Sequence, residues 1–242
     1  MKKLIQILFL VGIFFMSSLE ISNADSIRTP DGNMPYVHWA VVESKENKMD
    51  KILSLGAKIL PPVVSKEKGT YALYGGLDVS NNNIMRLLEI YESLEAYRIH
   101  TSSEAFQQYR AERFPILKSL KILEVNGIAL EQKTKGTGTI VFMTRYEIEP
   151  EKLAEYQELA KAEAKRAVKQ EKGVMGMFVT AEADNLNIIH TMEIYKDKAE
   201  YDKYIASKDY QQFQEKIKNM ILSKHTIENL PTKIVLTDKG TK

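Results

Sequence analysis

Residues 88–109 read LEIYESLEAYRIHTSSEAFQQY, and residues 192–213 read MEIYKDKAEYDKYIASKDYQQF. Glu89-Ile90-Tyr91 returns as Glu193-Ile194-Tyr195, Tyr97 as Tyr201, Ser103 as Ser207, and Gln107-Gln108 as Gln211-Gln212. Phe106 and Tyr109 exchange only a hydroxyl with Tyr210 and Phe213. The offset stays at 104 residues without a gap, and seven of the 21 positions from Glu89 to Tyr109 are identical. Self-similarity at one fixed offset is the mark of an internal duplication. The chain is therefore read as two related halves of domain size.

The elements on either side of the signature follow the same offset. Tyr36 to Val42 alternates as a strand, and Thr139 to Tyr146 is its echo, with Phe142 in the place of His38 and Met143 in that of Trp39. His38 and Trp39 are neighbours on a strand, so they face opposite sides of a sheet. Met49, Ile52, Leu53, Gly56 and Ile59 fall at helical spacing. Pro61-Pro62 is expected to end that helix, because proline lacks the amide and clashes with the preceding turn. The matching helix begins near Pro150 and is expected to run longer, to about Gln170. Gly69 and Gly173 precede the second strands, Thr70 to Leu77 and Val174 to Ala181. Asn81-Asn82-Asn83 and Asp184 to Asn187 supply turns. Third strands follow at Ile84 to Tyr91 and Ile188 to Tyr195, then the helical signature, then fourth strands at Leu120 to Leu130 and Thr226 to Leu236.

Each half thus reads β-α-β-β-α-β. The expected fold is α+β: two tandem ferredoxin-like halves packed sheet to sheet as an intramolecular pseudo-dimeric barrel. The expected boundaries are a signal peptide over 1–24, a flexible lead-in over 25–35, a first half over 36–131, a linker over 132–138, a second half over 139–238 and a tail over 239–242.

Lys2 and Lys3, the apolar run Leu4 to Phe15 and the small-residue site Ser22-Asn23-Ala24 form a secretory leader, cut after Ala24. The apolar run is about 12 residues, short of the roughly 20 that span a bilayer. The expected location is periplasmic or secreted, with no stable membrane insertion after cleavage. Without the leader the formal charge falls from +2 to +1, which offers no electrostatic footprint for nucleic acid. The chain has no Cys, so disulfides, thiolate metal sites and a Cys nucleophile are excluded. No two His stand at ligand spacing, and no phosphate-cradling Gly loop or nucleophile elbow is present.

The element order and the signature resemble the antibiotic biosynthesis monooxygenase (ABM) family of dimeric α+β barrels, quinol monooxygenases among them. The residues that carry the resemblance are Glu89-Ile90-Tyr91, Ala96, His100, Ser103 and Phe106. The second half keeps Glu193, Tyr195, Ser207 and an aromatic at Tyr210, but has Tyr204 in the place of His100. The resemblance implies a pocket in each half between sheet and helices. It also implies oxygenation of a small hydroxylated aromatic or quinol without cofactor. His100 is then the candidate general base, since an imidazole titrates near working pH. Glu89 is expected to support it. Trp39, Tyr91, Tyr97 and Phe106, with Tyr195 and Tyr204 in the second half, are the candidate substrate-binding residues. In the haem-degrading branch the iron-binding His falls just beyond Tyr109; here Arg110 and Gln214 stand at that place. Haem therefore stays an alternative, as the apolar ligand of a non-catalytic binder. A partner-binding module is the third reading, and further self-association stays open.

Overall fold

The computed structural model describes residues 24–240. The expected leader lies outside them except for Ala24. β1 is Ala24–Ser26. The first half then runs β2 (Tyr36–Ser44), α1 (Met49–Lys66), β3 (Thr70–Asp78), β4 (Ile84–Tyr91), α2 (Leu94–Ser102), α3 (Glu104–Arg113) and β5 (Leu117–Lys133). The second runs β6 (Ile140–Ile148), α4 (Leu153–Gln170), β7 (Val174–Glu182), β8 (Ile188–Tyr195), α5 (Lys198–Ile205), α6 (Lys208–Ile217) and β9 (Ile221–Asp238). Among the described residues no helix is long and apolar enough to cross a membrane.

The strands form one sheet in the order β1-β5-β2-β4-β3-β9-β6-β8-β7, and β5 also pairs with β7, which closes it into a barrel. Closure comes from two long arms. β5 pairs with β2 up to Val125 and with β7 from Val125 to Gln132. β9 pairs with β6 up to Asn229 and with β3 from Asn229 to Asp238. Each arm begins in its own half and ends in the other, so neither half keeps an open sheet edge of its own.

The strand alternation sorts side chains into three cores. Ala40, Val42, Leu73, Leu87 and Tyr91 face the helices of the first half. Tyr146, Val179, Ile189 and Tyr195 do the same in the second. Trp39, Tyr74, Leu88, Met143, Phe178 and Met192 fill the barrel between the two sheets. The opposite facing of His38 and Trp39 is realised: His38 lies on the helix side, and Trp39 Nε1 donates inside the barrel to Thr180 Oγ1 of the second half at 3.0 Å.

Three expectations differ from the structure. Helix α1 does not stop at Pro61-Pro62 but carries both prolines to Lys66, the same 18 residues as α4. Leu60, Val63 and Val64 bury their side chains on either side of the prolines, and this packing outweighs the lost amides. The lead-in is not free chain: β1 pairs with Glu131 to Lys133, and Ile27 N–H donates to Leu130 O. Gln132, expected in the linker, is a buried strand residue whose Oε1 accepts from Tyr74 Oη at 2.7 Å.

The repeated signature owes much of its identity to helix joints. Ser103 Oγ accepts from Phe106 N, and Ser207 Oγ accepts from Tyr210 N, so each serine caps the second short helix. Gln107 Nε2 donates to Thr101 O, and Gln211 Nε2 donates to Ile205 O, tying that joint from the other side. Gly69 admits the close approach of α2: a Cβ there would lie 2.5 Å from Ala96 Cβ.

Candidate functional site

In the first half, strands β2 and β4 and helix α2 bring a set of imidazoles and carboxylates together under α1 and α3. His38 pairs with Glu89 in register. Its Nε2 donates to Glu89 Oε2 at 3.1 Å, and Tyr91 Oη donates to the same oxygen at 2.7 Å. Burial pushes the Glu89 carboxyl up, but the His38 hydrogen bond and charge, helped by Tyr91 and His100, bring it down to about 2. His38 is fully buried, and its Nδ1 has no hydrogen-bond partner.

His100 closes α2 with 2% exposure. Its partner is not Glu89, as expected, but Glu67 at the end of α1, whose Oε2 lies 2.9 Å from Nδ1. Thr70 Oγ1 donates to that same Oε2 at 2.7 Å and fixes the carboxylate. Phe106 packs edge-on to the imidazole with centroids 4.8 Å apart, and the Tyr91 ring lies 5.5 Å away. Tyr97 packs edge-on to His38 rather than His100, with centroids 4.7 Å apart. Of the residues expected at this site, His100, Glu89, Tyr91, Tyr97 and Phe106 therefore converge. Trp39 does not: it stands on the other face of the sheet, so it cannot be a wall of this pocket. The residues that sequence reading missed are His38 and Glu67. His38 was visible as the one place where the first strands exchange an imidazole for a phenyl ring, at Phe142. Glu67 was visible through its counterpart Glu171.

The second half keeps one part of this wiring and replaces the rest. Tyr204 stands for His100 and donates to Glu163 Oε1 at 2.8 Å. Arg166, which occupies the position of Pro62, binds Glu163 through two nitrogens at 2.8 and 2.9 Å and reaches Glu171 at 3.0 Å. Glu171 is thus held by an arginine, whereas its counterpart Glu67 faces a proline position and is left for His100. Tyr195 Oη donates to Glu193 Oε2 at 2.6 Å, as Tyr91 does to Glu89. But Phe142 has no proton to give, so burial holds the Glu193 carboxyl above its ordinary range.

The second half also keeps a cavity of about 40 Å³ on this face, lined by Tyr156, Ala160, Ala164, Thr191, Glu193 and Tyr204 among others. Ala164 and Thr191 take the places of Leu60 and Leu87, both in the packed core of the first half. The lost carbon volume accounts for the space. Thr191 Oγ1 is buried without a hydrogen-bond partner. A larger cleft, about 670 Å³, lies against the lead-in between Ile27 and Lys239 and shares no lining residue with that cavity. Among the described residues no group of three or more His, Asp or Glu is placed to hold a metal ion.

Among solved structures the chain is similar to a monooxygenase candidate from Lactobacillus acidophilus NCFM, with a TM-score of 0.79 at 17% identity over 86% of this chain and 98% of that one. A second monooxygenase candidate, from Fusobacterium nucleatum, gives 0.78 at 21% identity over 86% and 96%. An anthrone oxidase-like protein gives 0.55 at 9% identity over 90% and 98%. These likenesses are likenesses of fold. Among curated proteins none matches. The family model for antibiotic biosynthesis monooxygenase matches the chain twice, over residues 35–112 and 139–216, once in each half and across both copies of the signature. The chain belongs to the antibiotic biosynthesis monooxygenase family.

Proposed function

We propose that the protein is an exported, cofactor-independent monooxygenase that acts on a small hydroxylated aromatic or quinol, with His100 as general base. The observation that carries the assignment of the base is the Glu67–His100 pair. A carboxylate on Nδ1 fixes the tautomer, leaves the Nε2 lone pair free to take a proton, and stabilises the imidazolium that results. A hydroquinone that gives up a hydroxyl proton becomes an electron-rich anion able to attack oxygen at ring carbon. One oxygen atom then ends in a hydroxyquinone and the other in water, and the substrate supplies all four electrons, two in passing from hydroquinone to quinone and two in exchanging a ring C–H for C–OH. Glu67 and Thr70 are positioning residues, and Phe106 and Tyr91 hold the imidazole plane. Export rests on the sequence of the leader: a charged start, an apolar run and the small-residue site Ser22-Asn23-Ala24.

A second reading, favoured by the cavity and the raised Glu193 carboxyl, places the proton acceptor in the second half. The two readings separate in one experiment: oxygen uptake by the mature chain with a panel of hydroquinones, wild type beside His100→Ala, Glu67→Gln and Glu193→Gln, with chelator present. Uptake lost in His100→Ala, reduced in Glu67→Gln and retained in Glu193→Gln is the expected result. Loss confined to Glu193→Gln moves the chemistry to the second half. No uptake by any form overturns the oxygenase reading and leaves a binder, to be titrated with haem and apolar aromatics.

A further inference from the structure

The inside of the barrel carries a second constellation, on the face of the sheet opposite His100 and Glu193. Across β4, β2 and β5 the register sets Arg86, Val41 and Lys121 in one row. Across β8, β6 and β9 it sets His190, Arg145 and His225 in another. Each member of the second row is the 104-residue counterpart of the member of the first, so the duplication brings two related rows to the same end of the barrel. Both rows line one cavity of about 250 Å³, and Trp39, Leu123 and Met143 form its apolar floor. That is a little below the roughly 300–1,000 Å³ of pockets for drug-sized ligands.

Five of the six row positions are basic. Two of these groups have carboxylate partners, again related by the repeat: Arg86 with Asp78 at 2.8 Å and His190 with Glu182 at 2.7 Å. Among the described residues Lys121, Arg145 and His225 make no ion pair. Arg145 sits directly between two imidazoles on adjacent strands, so protonating either would set a like charge beside it. Burial, and then the nearby Arg145 and Arg86, hold His190 below its ordinary range against the pull of Glu182. A row of basic groups that disfavour one another, over an apolar floor, is relieved by an anion with an apolar body.

We propose that this barrel-mouth cavity binds a small aromatic carboxylate, its carboxylate on Arg145 and Lys121 and its ring on Trp39. The planar guanidinium of Arg145 matches a carboxylate with two parallel N–H donors. The site opens on the sheet face opposite the helix-side cavity, with Thr191 alone lining both, and stands whether or not that cavity is catalytic.

Trp39 is the only tryptophan in the chain, so its emission reports occupancy directly. Phenylacetate titrated into the mature protein is expected to change that emission saturably with a Kd below about 1 mM. Uncharged phenylacetamide and inorganic sulfate are each expected to bind at least about tenfold more weakly, and Arg145→Gln to weaken phenylacetate by a similar factor. Arg145 is exposed, so the substitution leaves the fold intact, which near-ultraviolet circular dichroism checks. Three results overturn the proposal. One is no saturable response to phenylacetate. Another is sulfate binding as tightly as phenylacetate. The third is binding that survives Arg145→Gln but is lost on Ala164→Leu, which would put the ligand in the helix-side cavity.

Discussion

Glu89 and Glu193 occupy the same place in the two halves, and each accepts the hydroxyl of the tyrosine two residues on, at 2.7 and 2.6 Å. Their carboxyls are nevertheless shifted in opposite directions, because His38 donates to one and Phe142 cannot donate to the other. For Glu89 the folded value, about 2, lies below the ordinary one, so it contributes stability above the ordinary carboxylate range. That contribution is lost as pH falls from the ordinary range through the folded value. For Glu193 the folded value is raised, so the group costs stability at neutral pH and the cost is relieved on acidification. His38→Phe should turn Glu89 into a second Glu193. The variant is expected to lose about 2–3 kcal/mol at pH 7, with the deficit shrinking towards pH 3. Urea unfolding of both proteins at the two pH values checks it, and an equal deficit at both would show that only packing was lost. At this scale the sequence made His100, Tyr91 and Glu89 visible as residues but not as partners. Glu67 lies 33 residues from His100 and His38 lies 51 from Glu89, and only the fold closes those distances.

Helices and strands were legible wherever pattern and packing agree. The duplicated signature held its element types because Ser103, Ser207, Gln107 and Gln211 make the same local bonds in both halves. The prolines of α1 are where local and tertiary preference part. Pro61 and Pro62 cannot donate to the carbonyls one turn back, yet the helix passes through them because Val63 and Val64 are needed in the core. The second half, with Lys165 and Arg166 at those positions, has no such conflict. Pro61→Ala is therefore expected to stabilise the protein by about 1–3 kcal/mol, since proline costs about 3 kcal/mol relative to alanine inside a helix and part of that is already relaxed. A rise in the urea midpoint with an unchanged slope is the expected reading. A fall would mean that the proline bend itself seats Val63 and Val64. The arms β5 and β9 were under-read for a related reason. Their far ends, around Gln132 and Asp238, are polar in sequence and are held by pairing across the halves rather than by a local pattern.

The duplication determines how the whole molecule holds together. Each sheet has one face on its own helices and one face that is covered only by the other half. The barrel interior joins Trp39, Leu88 and Tyr74 of the first half to Phe178, Met143 and Met192 of the second. The arms add main-chain pairing of β5 with β7 and of β9 with β3. Neither half can unfold without exposing that shared interior and breaking both arms, so cooperativity should extend over the full chain despite its two-part sequence. Trp39 is placed to test this, because it touches both halves: its indole donates to Thr180 Oγ1, and its ring lies 5.9 Å from that of His190. Its emission reports the docking of the halves, while far-ultraviolet circular dichroism reports the helices, which lie outside the barrel. The two probes are expected to give one coincident urea transition. Thr180→Val removes the indole's partner and is expected to shift that transition by about 1–2 kcal/mol in both probes together. An indole signal that moved ahead of the helical signal would mean that the halves separate before they unfold, and that the arms add little to the hold of the interior core.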